Sequence, residues 1–430
     1  MKKRVLIVTY YWPPSGGSGV QRWLKFAKYL PQSGWEPVIF TPENPDFDLH
    51  DESLLKEVSP HLEVIRFPIW EPYHLFSKVK RTAKSHPGRM LEQADKGLLE
   101  KIAIWLRANI LVPDPRIFWV KPAVKFLHAL LQEGQFQAVI TTGPPHSLHL
   151  IGLQLKKKYG VPWLADFRDP WSQWEFLDTL PMLSIIRRRH EALEQKVLQE
   201  ANVVVSISPT FQRDLEKLAG RKIELLTNGF DPEDLPNHFT PVYKQANMLH
   251  LVYSGIIDAI RNPLPLLEAM KAEFESKGEE VKLSFVGKVS QAVQDFVAAD
   301  PWLRSKVHFV GYVTHSQVFS YYAQAHALVL ILTDTKNAKG NIPGKLFEYM
   351  ATGIPILALG DPEGDSAAIL RESKAGEVLA HLHKIGIQAQ LRSLFVSAGT
   401  AQSQKAMEKY ARPSLTQQLS KLLDKIAQVS

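Results

Sequence analysis

The chain has 430 residues, of which 45% are apolar and 22% charged, and a formal charge of +7. That length exceeds what one core usually serves, so two domains are expected, and the composition is globular rather than disordered or fibrous. The complete lack of cysteine removes disulfides, thiolate metal sites and a cysteine nucleophile, and agrees with a reducing compartment.

The N-terminus, Met-Lys-Lys-Arg-Val-Leu-Ile-Val-Thr, turns from basic to apolar, but the apolar run stops at Thr9. That is too short for the core of a signal peptide, and no uninterrupted apolar run reaches membrane-spanning length. Arg4–Tyr10 therefore reads as a first strand. Tyr11-Trp-Pro-Pro-Ser-Gly-Gly-Ser-Gly19 is a turn-rich loop before a helix whose Val20, Trp23, Leu24, Ala27 and Leu30 recur at helical spacing. Gly16, Gly17 and Gly19 resemble part of a dinucleotide fingerprint, but Val-Gln-Arg follows and the third glycine is missing. The loop is then either a close backbone approach to a ligand or a tight turn.

Strands over 36–42 and 62–68 continue the sheet. Between Ser77 and Met90 lie Lys78, Lys80, Arg81, Lys84 and Arg89 with no acidic residue, followed by an amphipathic segment, Leu98–Leu111, carrying Ile102, Trp105 and Leu106. Residues 78–111 thus read either as a surface for anionic membrane or as a solvated face followed by an ordinary core helix. The small net charge gives no sign of a nucleic-acid partner.

Alternation resumes with a strand at 137–143, a helix over 146–159 and a strand at 162–167. Arg168-Asp169-Pro170-Trp171 then falls just outside the carboxyl end of a strand, where open α/β sheets bind ligands. Asp169 reads as a group placed to meet a ligand at that edge, or else as an ion-pair partner of Arg168 or a helix cap. His146 and His149, three apart at a helix start without a third metal ligand, read as a cap and a surface or core histidine, although His146 also sits at a strand end suited to ligand contact. Asp46-Phe-Asp48 has the form of a divalent-metal motif but lies in a proline-flanked loop of the wrong fold context. A helix over 182–200 and strands at 202–208 and 222–228 complete a first sheet. A polar, turn-rich stretch from Gly229 to Gln245 reads as the linker, giving a first domain of 1–236 and a second of 246–412.

The second half repeats the alternation, with strands near 250–255, 281–287, 307–312, 327–332, 355–360 and 375–380. The expected fold is α/β: two doubly wound parallel sheets facing across a cleft. In Gly340–Gly360, Pro343 suits a first helical turn and Gly353 a left-handed helix end, with a buried Ile-Leu-Ala-Leu strand behind. Gly340 and Gly344 leave backbone N–H groups of the helix start open, Lys345 adds charge in the first turn, and Glu348 can accept from a vicinal diol. Phosphate plus ribose points to a nucleotide; the alternative is a carboxylate that merely complements the helix dipole and a solvated lysine. A last helix beginning at Pro413-Ser414 carries a Leu415, Leu419, Leu422, Leu423, Ile426 stripe that needs a partner surface.

The ordered set Tyr-Tyr-Trp-Pro-Pro-Ser-Gly-Gly, Val-Tyr-Ser-Gly255 with Arg261-Asn-Pro, Phe-Val-Gly287, Val-His-Phe-Val-Gly311 and Pro343-Gly-Lys-Leu-Phe-Glu-Tyr-Met-Ala-Thr-Gly353 resembles the retaining glycosyltransferases of family four, nearly end to end. The resemblance implies the GT-B architecture, with residues 413–430 crossing back onto the first domain. It implies a donor site for a nucleoside diphosphate sugar at Gly16, Gly17, Gly255, Arg261, Gly287, Ile342, Pro343, Gly344, Lys345 and Glu348. Glu348 matches the second of the family's paired glutamates, Gly340 replaces the first, and Ile256 replaces the earlier of its two basic residues. Arg261 and Lys345 then carry the diphosphate and, with Arg168 and Asp169, the chemistry. The family's histidine falls near Arg168, so His146, Asp166, Arg168 and Asp169 are the acceptor-side candidates. The implied activity is metal-independent and needs no cofactor. It is hexosyl or related transfer with retention, to a lipid-linked or cell-surface glycan precursor, by a cytoplasmic protein that sits peripherally on the inner face of a membrane. A GT-B epimerase or phosphorylase fits the Pro-Gly-Lys-x-x-Glu helix less well, whereas Gly340 and Ile256 suit an inactive nucleotide-sugar-binding protein.

Overall fold

The computed structural model describes residues 3–47, 49–72, 98–134, 136–236, 239, 248–396 and 405–428. The chain forms two compact units, Met1–Thr227 with Arg412–Ser430, and Asn228–Ala411. The stretch 228–236, read from sequence as the end of the first domain, belongs to the second. Phe230 donates its N–H to the Tyr410 carbonyl at 3.1 Å, and its ring packs on that unit's core with Leu235.

In the first unit, strands β1 (Lys3–Val8), β2 (Trp35–Pro42), β3 (Glu63–Phe67), β4 (Phe136–Gly143), β5 (Trp163–Phe167), β6 (Val203–Ser206) and β7 (Glu224–Leu225) form a sheet in the order β3-β2-β1-β4-β5-β6-β7, with every neighbouring pair parallel. In-register partners such as Leu6 with Val38 and Val139 stack β-branched and leucine side chains on both faces. This is why the strands read as continuous apolar runs instead of alternating ones. One face is covered by the helices Ile117–Gly134 and Ser147–Tyr159, whose Trp119, Leu127 and Ile151 are fully buried. The other is covered by the helix Ser18–Tyr29 and by Arg412–Ala427. There the terminal stripe finds its surface: Leu415, Leu419, Leu423 and Ile426 are buried against Trp23, Phe26, Leu30 and Trp35, each contributing roughly 1.5–3 kcal/mol.

In the second unit, β8 (Met248–Ser254), β9 (Glu280–Val286), β10 (Val307–Gly311), β11 (Ala327–Ile331), β12 (Ile356–Leu359) and β13 (Gly376–Leu379) are ordered β10-β9-β8-β11-β12-β13, again all parallel. Strand order reverses between β8 and β11, so the loops leaving those neighbours run to opposite faces and open a crevice at their carboxyl ends. β1 and β4 do the same in the first unit. The helix Leu98–Ile110 and the segments on either side of β3 belong to the first unit. The basic run from Lys78 to Arg89 and Asp48 lie outside the described residues.

Candidate active site

The reversal point of the second unit collects most of the donor-side candidates. The helix Gly344–Thr352 starts there without a side-chain cap and ends in left-handed Gly353. Pro343 is its N-cap, with extended ψ of 142°, not a first-turn residue as expected, because Leu346 N–H closes the first turn onto the Pro343 carbonyl at 3.0 Å. The Ile342 side chain is core, 3% exposed among Leu330, Leu346 and Phe347; a ligand there would meet its backbone only. Buried Gly340 lies in the turn before them.

Lys345 reaches back to the end of β8. Its Nζ donates to the Tyr253 hydroxyl at 2.9 Å and to the Ser254 carbonyl at 2.6 Å, and lies 4.2 Å from the Tyr253 ring centre. Burial, helped by the Arg261 guanidinium and opposed by Glu348 and Asp258, lowers its pKa to about 7. The ammonium is therefore held in a site that does not by itself neutralise it, and an anion would. Arg261 lies in the loop after β8, ahead of the helix Leu264–Phe274 rather than at its start, and pairs with buried Asp258 at 3.1 Å. The loops after β8 and β11 are tied by Asp334 N–H to the Ile260 carbonyl. Glu348 meets His315 at 3.3 Å, both partly buried.

Gly255 and Gly287 are there for backbone approach. At φ +119° a Cβ on Gly255 would sit 2.5 Å from Lys345 Nζ, and at φ +134° one on Gly287 would sit 2.1 Å from the Gly255 carbonyl oxygen. Gly287→Ala is expected to cost at least about 2 kcal/mol through strain and clash together, read as a lowered thermal midpoint and weakened diphosphate binding. Gly16 and Gly17 lie on the first unit, after β1. Gly16 N–H donates to the Leu49 carbonyl, and Gly17, at φ 90°, opens the helix Ser18–Tyr29.

The first-unit candidates separate into supports and open groups. Asp166 is fully buried and its oxygens are taken: Arg22 donates to both, at 2.8 and 3.2 Å, and Trp23 and Thr142 donate at 2.9 Å. It is a structural ion pair, not an acceptor contact. Arg168 also turns inward, onto the carbonyls of Gly19, Gly143 and Pro144, clamping the loop after β4 to the helix Ser18–Tyr29. Its guanidinium therefore does not bond Asp169. Asp169 makes no hydrogen bond to a described residue, and its pKa is raised by burial, against the pull of Arg168 and with a push from Asp166.

His146 is the residue before the helix Ser147–Tyr159 but does not cap it; Asp114 accepts from Ser147 N–H at 2.8 Å and from its hydroxyl at 2.9 Å. The His146 ring is 7% exposed and stacks on Trp171 at 5.0 Å and 6°. Burial holds its pKa well below the usual range. His149 is wholly buried, takes the Thr141 hydroxyl at 2.9 Å and is lowered to about 3 by burial, which makes it a core residue.

Sequence reasoning missed Tyr253, Asp258, His315 and the pair His190–Glu194. Only Asp258 left a local trace, an acid three residues before Arg261. The last two pin the loop after β5: Trp171 Nε1 donates to His190 at 3.1 Å and Ser172 N–H to buried Glu194 at 2.9 Å. They are a helical turn apart, yet their loop partners are 19 and 22 residues away.

Comparison with known proteins agrees with this arrangement. The glycosyl transferase 4-like domain profile matches residues 16–229, and the glycosyl transferases group 1 profile matches 249–395. Sucrose-phosphate synthase from Thermosynechococcus elongatus superposes with a TM-score of 0.62 at 16% identity, covering 99% of this chain and 97% of that one. Anabaena HepE in complex with UDP and glucose gives 0.61 at 14%, covering 98% and 100%. The lipopolysaccharide outer core galactosyltransferase WaaB gives 0.59 at 12%, covering 98% and 99%. No curated protein matches the chain in sequence. With a profile on each unit and two doubly wound sheets of this order, the chain belongs to the group 1, family-four glycosyltransferases of GT-B fold.

Proposed function

We propose that the protein transfers a hexose or related sugar from a nucleoside diphosphate sugar to a lipid-linked or cell-surface glycan precursor, with retention of configuration. The observation that carries the donor half is Lys345: a partly buried ammonium at an uncapped helix start, with a pKa lowered to about 7 by burial and by the nearby Arg261 guanidinium. As the anomeric C–O bond breaks, negative charge gathers on the leaving diphosphate. Lys345, Arg261 and the helix N–H groups stabilise that charge, and such stabilisation is usually the largest catalytic contribution. These cations fill the role a divalent ion plays elsewhere, in keeping with metal-independent transfer. Glu348 accepts from the ribose hydroxyls. In same-face attack the departing phosphate takes the acceptor proton, so no second carboxylate is required. Asp169, unbonded and with a raised pKa, orients the acceptor hydroxyl. HepE, solved with UDP-glucose, supports a nucleotide-sugar donor by likeness of fold.

The helix Leu98–Ile110 exposes Ile102 (46%), Trp105 (41%) and Ile110 (60%), which supports peripheral attachment to an anionic membrane, with the basic run before it. Among the described residues no helix is long and apolar enough to cross a membrane. A second reading, binding of nucleotide sugar without turnover, draws on Gly340 standing where the family has its first glutamate.

Incubation with uridine and guanosine diphosphate sugars, with and without a lipid-linked acceptor extract, separates the two readings. Acceptor-dependent release of nucleoside diphosphate is expected; tight donor binding without release would establish the inactive reading. Asp169→Asn should lower turnover by about 10- to 100-fold, the loss of an orienting charge-assisted hydrogen bond of roughly 1.5–3 kcal/mol, while leaving donor affinity unchanged. A parallel loss of donor affinity would remove Asp169 from the acceptor side.

A further inference from the structure

A cavity of about 150 Å³ lies wholly within the first unit, at the carboxyl edge of β4 and β5. Pro144, Pro145 and His146 border it on one side and Trp171 and Trp174 on another. Leu177, Leu180 and Met182 close over it from the segment after β5, and Arg107, Ala108 and Leu111 reach it from the helix Leu98–Ile110 and its end. Asn109 joins the last two walls, donating to the Pro181 carbonyl and accepting from Leu183 N–H, at 2.9 and 2.8 Å.

The polar groups of the wall are largely committed. Asp114 caps Ser147, Thr179 donates to the Phe176 carbonyl, and His190 Nδ1 accepts from Trp171. His146 has no hydrogen-bonded partner of normal geometry on either ring nitrogen and is buried and neutral, so it offers a flat face and one weak polar contact. A sugar ring seated here would bury several hydroxyls against carbon, at a cost the wall does not offset. A hydrocarbon has no such cost, and a cavity of this size, lined by leucine and aromatic groups, suits a handful of carbon atoms.

The outer surface of the same walls is apolar too. The helix Leu98–Ile110 exposes Ile102, Trp105 and Ile110, and the adjoining segment exposes Leu183 (49%) and Ile185 (65%). Large apolar side chains turned to water on both walls of a carbon-lined cavity mark a place where hydrocarbon arrives from outside. Trp171, in the inner wall, is two residues past Asp169.

We propose that this cavity holds an aliphatic segment of the acceptor, the chain of a lipid-linked phosphate, and thereby sets its polar head at the ends of β4 and β5. The inference rests on the acceptor being lipid-linked, as proposed above. It names Leu177, Leu180, Met182 and the Trp171–His146 stack as determinants of acceptor selection, separate from the donor site.

The test is equilibrium binding of two probes to the full chain, farnesyl phosphate and dodecyl phosphate, both below their micelle concentrations, with methyl glucoside as the polar comparison. The parent should bind at least one of the phosphates and not methyl glucoside. Preference between the two tells an isoprenoid from a straight-chain acceptor. Met182→Trp and Leu180→Trp each fill the cavity and should weaken that binding by about 50-fold, the equivalent of roughly three methylene groups returned to water. Uridine or guanosine diphosphate affinity should remain at the parental value, which also shows that the filled variants are folded.

Parental affinity for both phosphates in both variants, or no binding of either phosphate by a parent that binds nucleoside diphosphate, overturns the proposal and leaves the transferase reading standing. A parent that binds the phosphates and loses them on filling, but binds no nucleotide, upholds the cavity and overturns the donor site instead.

Discussion

Lys345→Ala is expected to weaken nucleoside diphosphate binding by about 10- to 150-fold, the loss of a charge-assisted hydrogen bond of roughly 1.5–3 kcal/mol. The ammonium is anchored by Tyr253 and the Ser254 carbonyl at the end of β8, so it is already positioned and little ordering cost opposes its use. Arg261→Ala should fall at the lower end of that range, because Asp258 already shares its charge and the side chain is 30% exposed. Affinity for the free nucleoside should be unchanged in both variants, whereas Glu348→Gln should alter nucleoside and nucleoside diphosphate alike. Diphosphate affinities within twofold of the parent in both cation variants would move the phosphate elsewhere.

The same lysine couples binding to pH. With its pKa lowered to about 7, it is largely neutral in the empty site at pH 8 and must take up a proton when a diphosphate arrives. Affinity should therefore fall as pH rises from about 7 to 9, with proton uptake approaching one per site near pH 8 and vanishing in Lys345→Met. Calorimetry in two buffers of different ionisation enthalpy measures this directly. For stability the sign is the reverse of that for a salt-bridged lysine. Between about 7 and the ordinary 10.5 the unfolded chain holds the extra proton, so this residue's contribution to stability increases with pH across that window.

Arg22→Ala should be the most damaging single change in the first unit, costing about 3–5 kcal/mol by leaving the Asp166 carboxylate buried and uncompensated. Arg22 and Asp166 are 1% and 0% exposed. The guanidinium also donates to the Leu226 and Thr227 carbonyls after β7, so one fork joins the helix Ser18–Tyr29, β5 and the end of the sheet. Arg22→Lys should rescue little, since a single ammonium cannot make those four bonds. Thermal unfolding checks both variants. A midpoint within a few degrees of the parent for Arg22→Ala would mean that water replaces the fork.

The strands were legible because a parallel sheet covered by helices needs side chains that are apolar on both faces. Runs such as Val-Leu-Ile-Val and Ile-Leu-Ala-Leu satisfy nothing else. The helix Gly344–Thr352 was legible for a similar local reason, with proline before it and a left-handed glycine after. Lys345 was legible as a cation in that helix's first turn, but its contacts with Tyr253 and the Ser254 carbonyl, 92 and 91 residues away, were not. The terminal stripe declared that it had a partner without naming it, because periodicity shows which face is buried and not what buries it.

The roles of charged groups were a different matter. Arg168 and Asp169 are adjacent in sequence and read as a pair, yet both lie in the bend past the end of β5, and there the Arg168 guanidinium found the carbonyls of Gly143, Pro144 and Gly19 instead. Asp166 looked like a ligand group until Arg22 and Trp23 from the helix Ser18–Tyr29 and Thr142 from β4 filled its oxygens. Pairings of this kind join residues far apart in the chain and leave no spacing signal. The local apolar pattern determined the two sheets, and proline and glycine marked the ends of the helix that carries Lys345 and Glu348. Which carboxylate is a strut and which stands open, Asp166 or Asp169, was decided only when the folded unit brought distant donors within 3 Å of one and of not the other, because a charge in a dry interior takes the nearest partner in space whatever its distance along the chain.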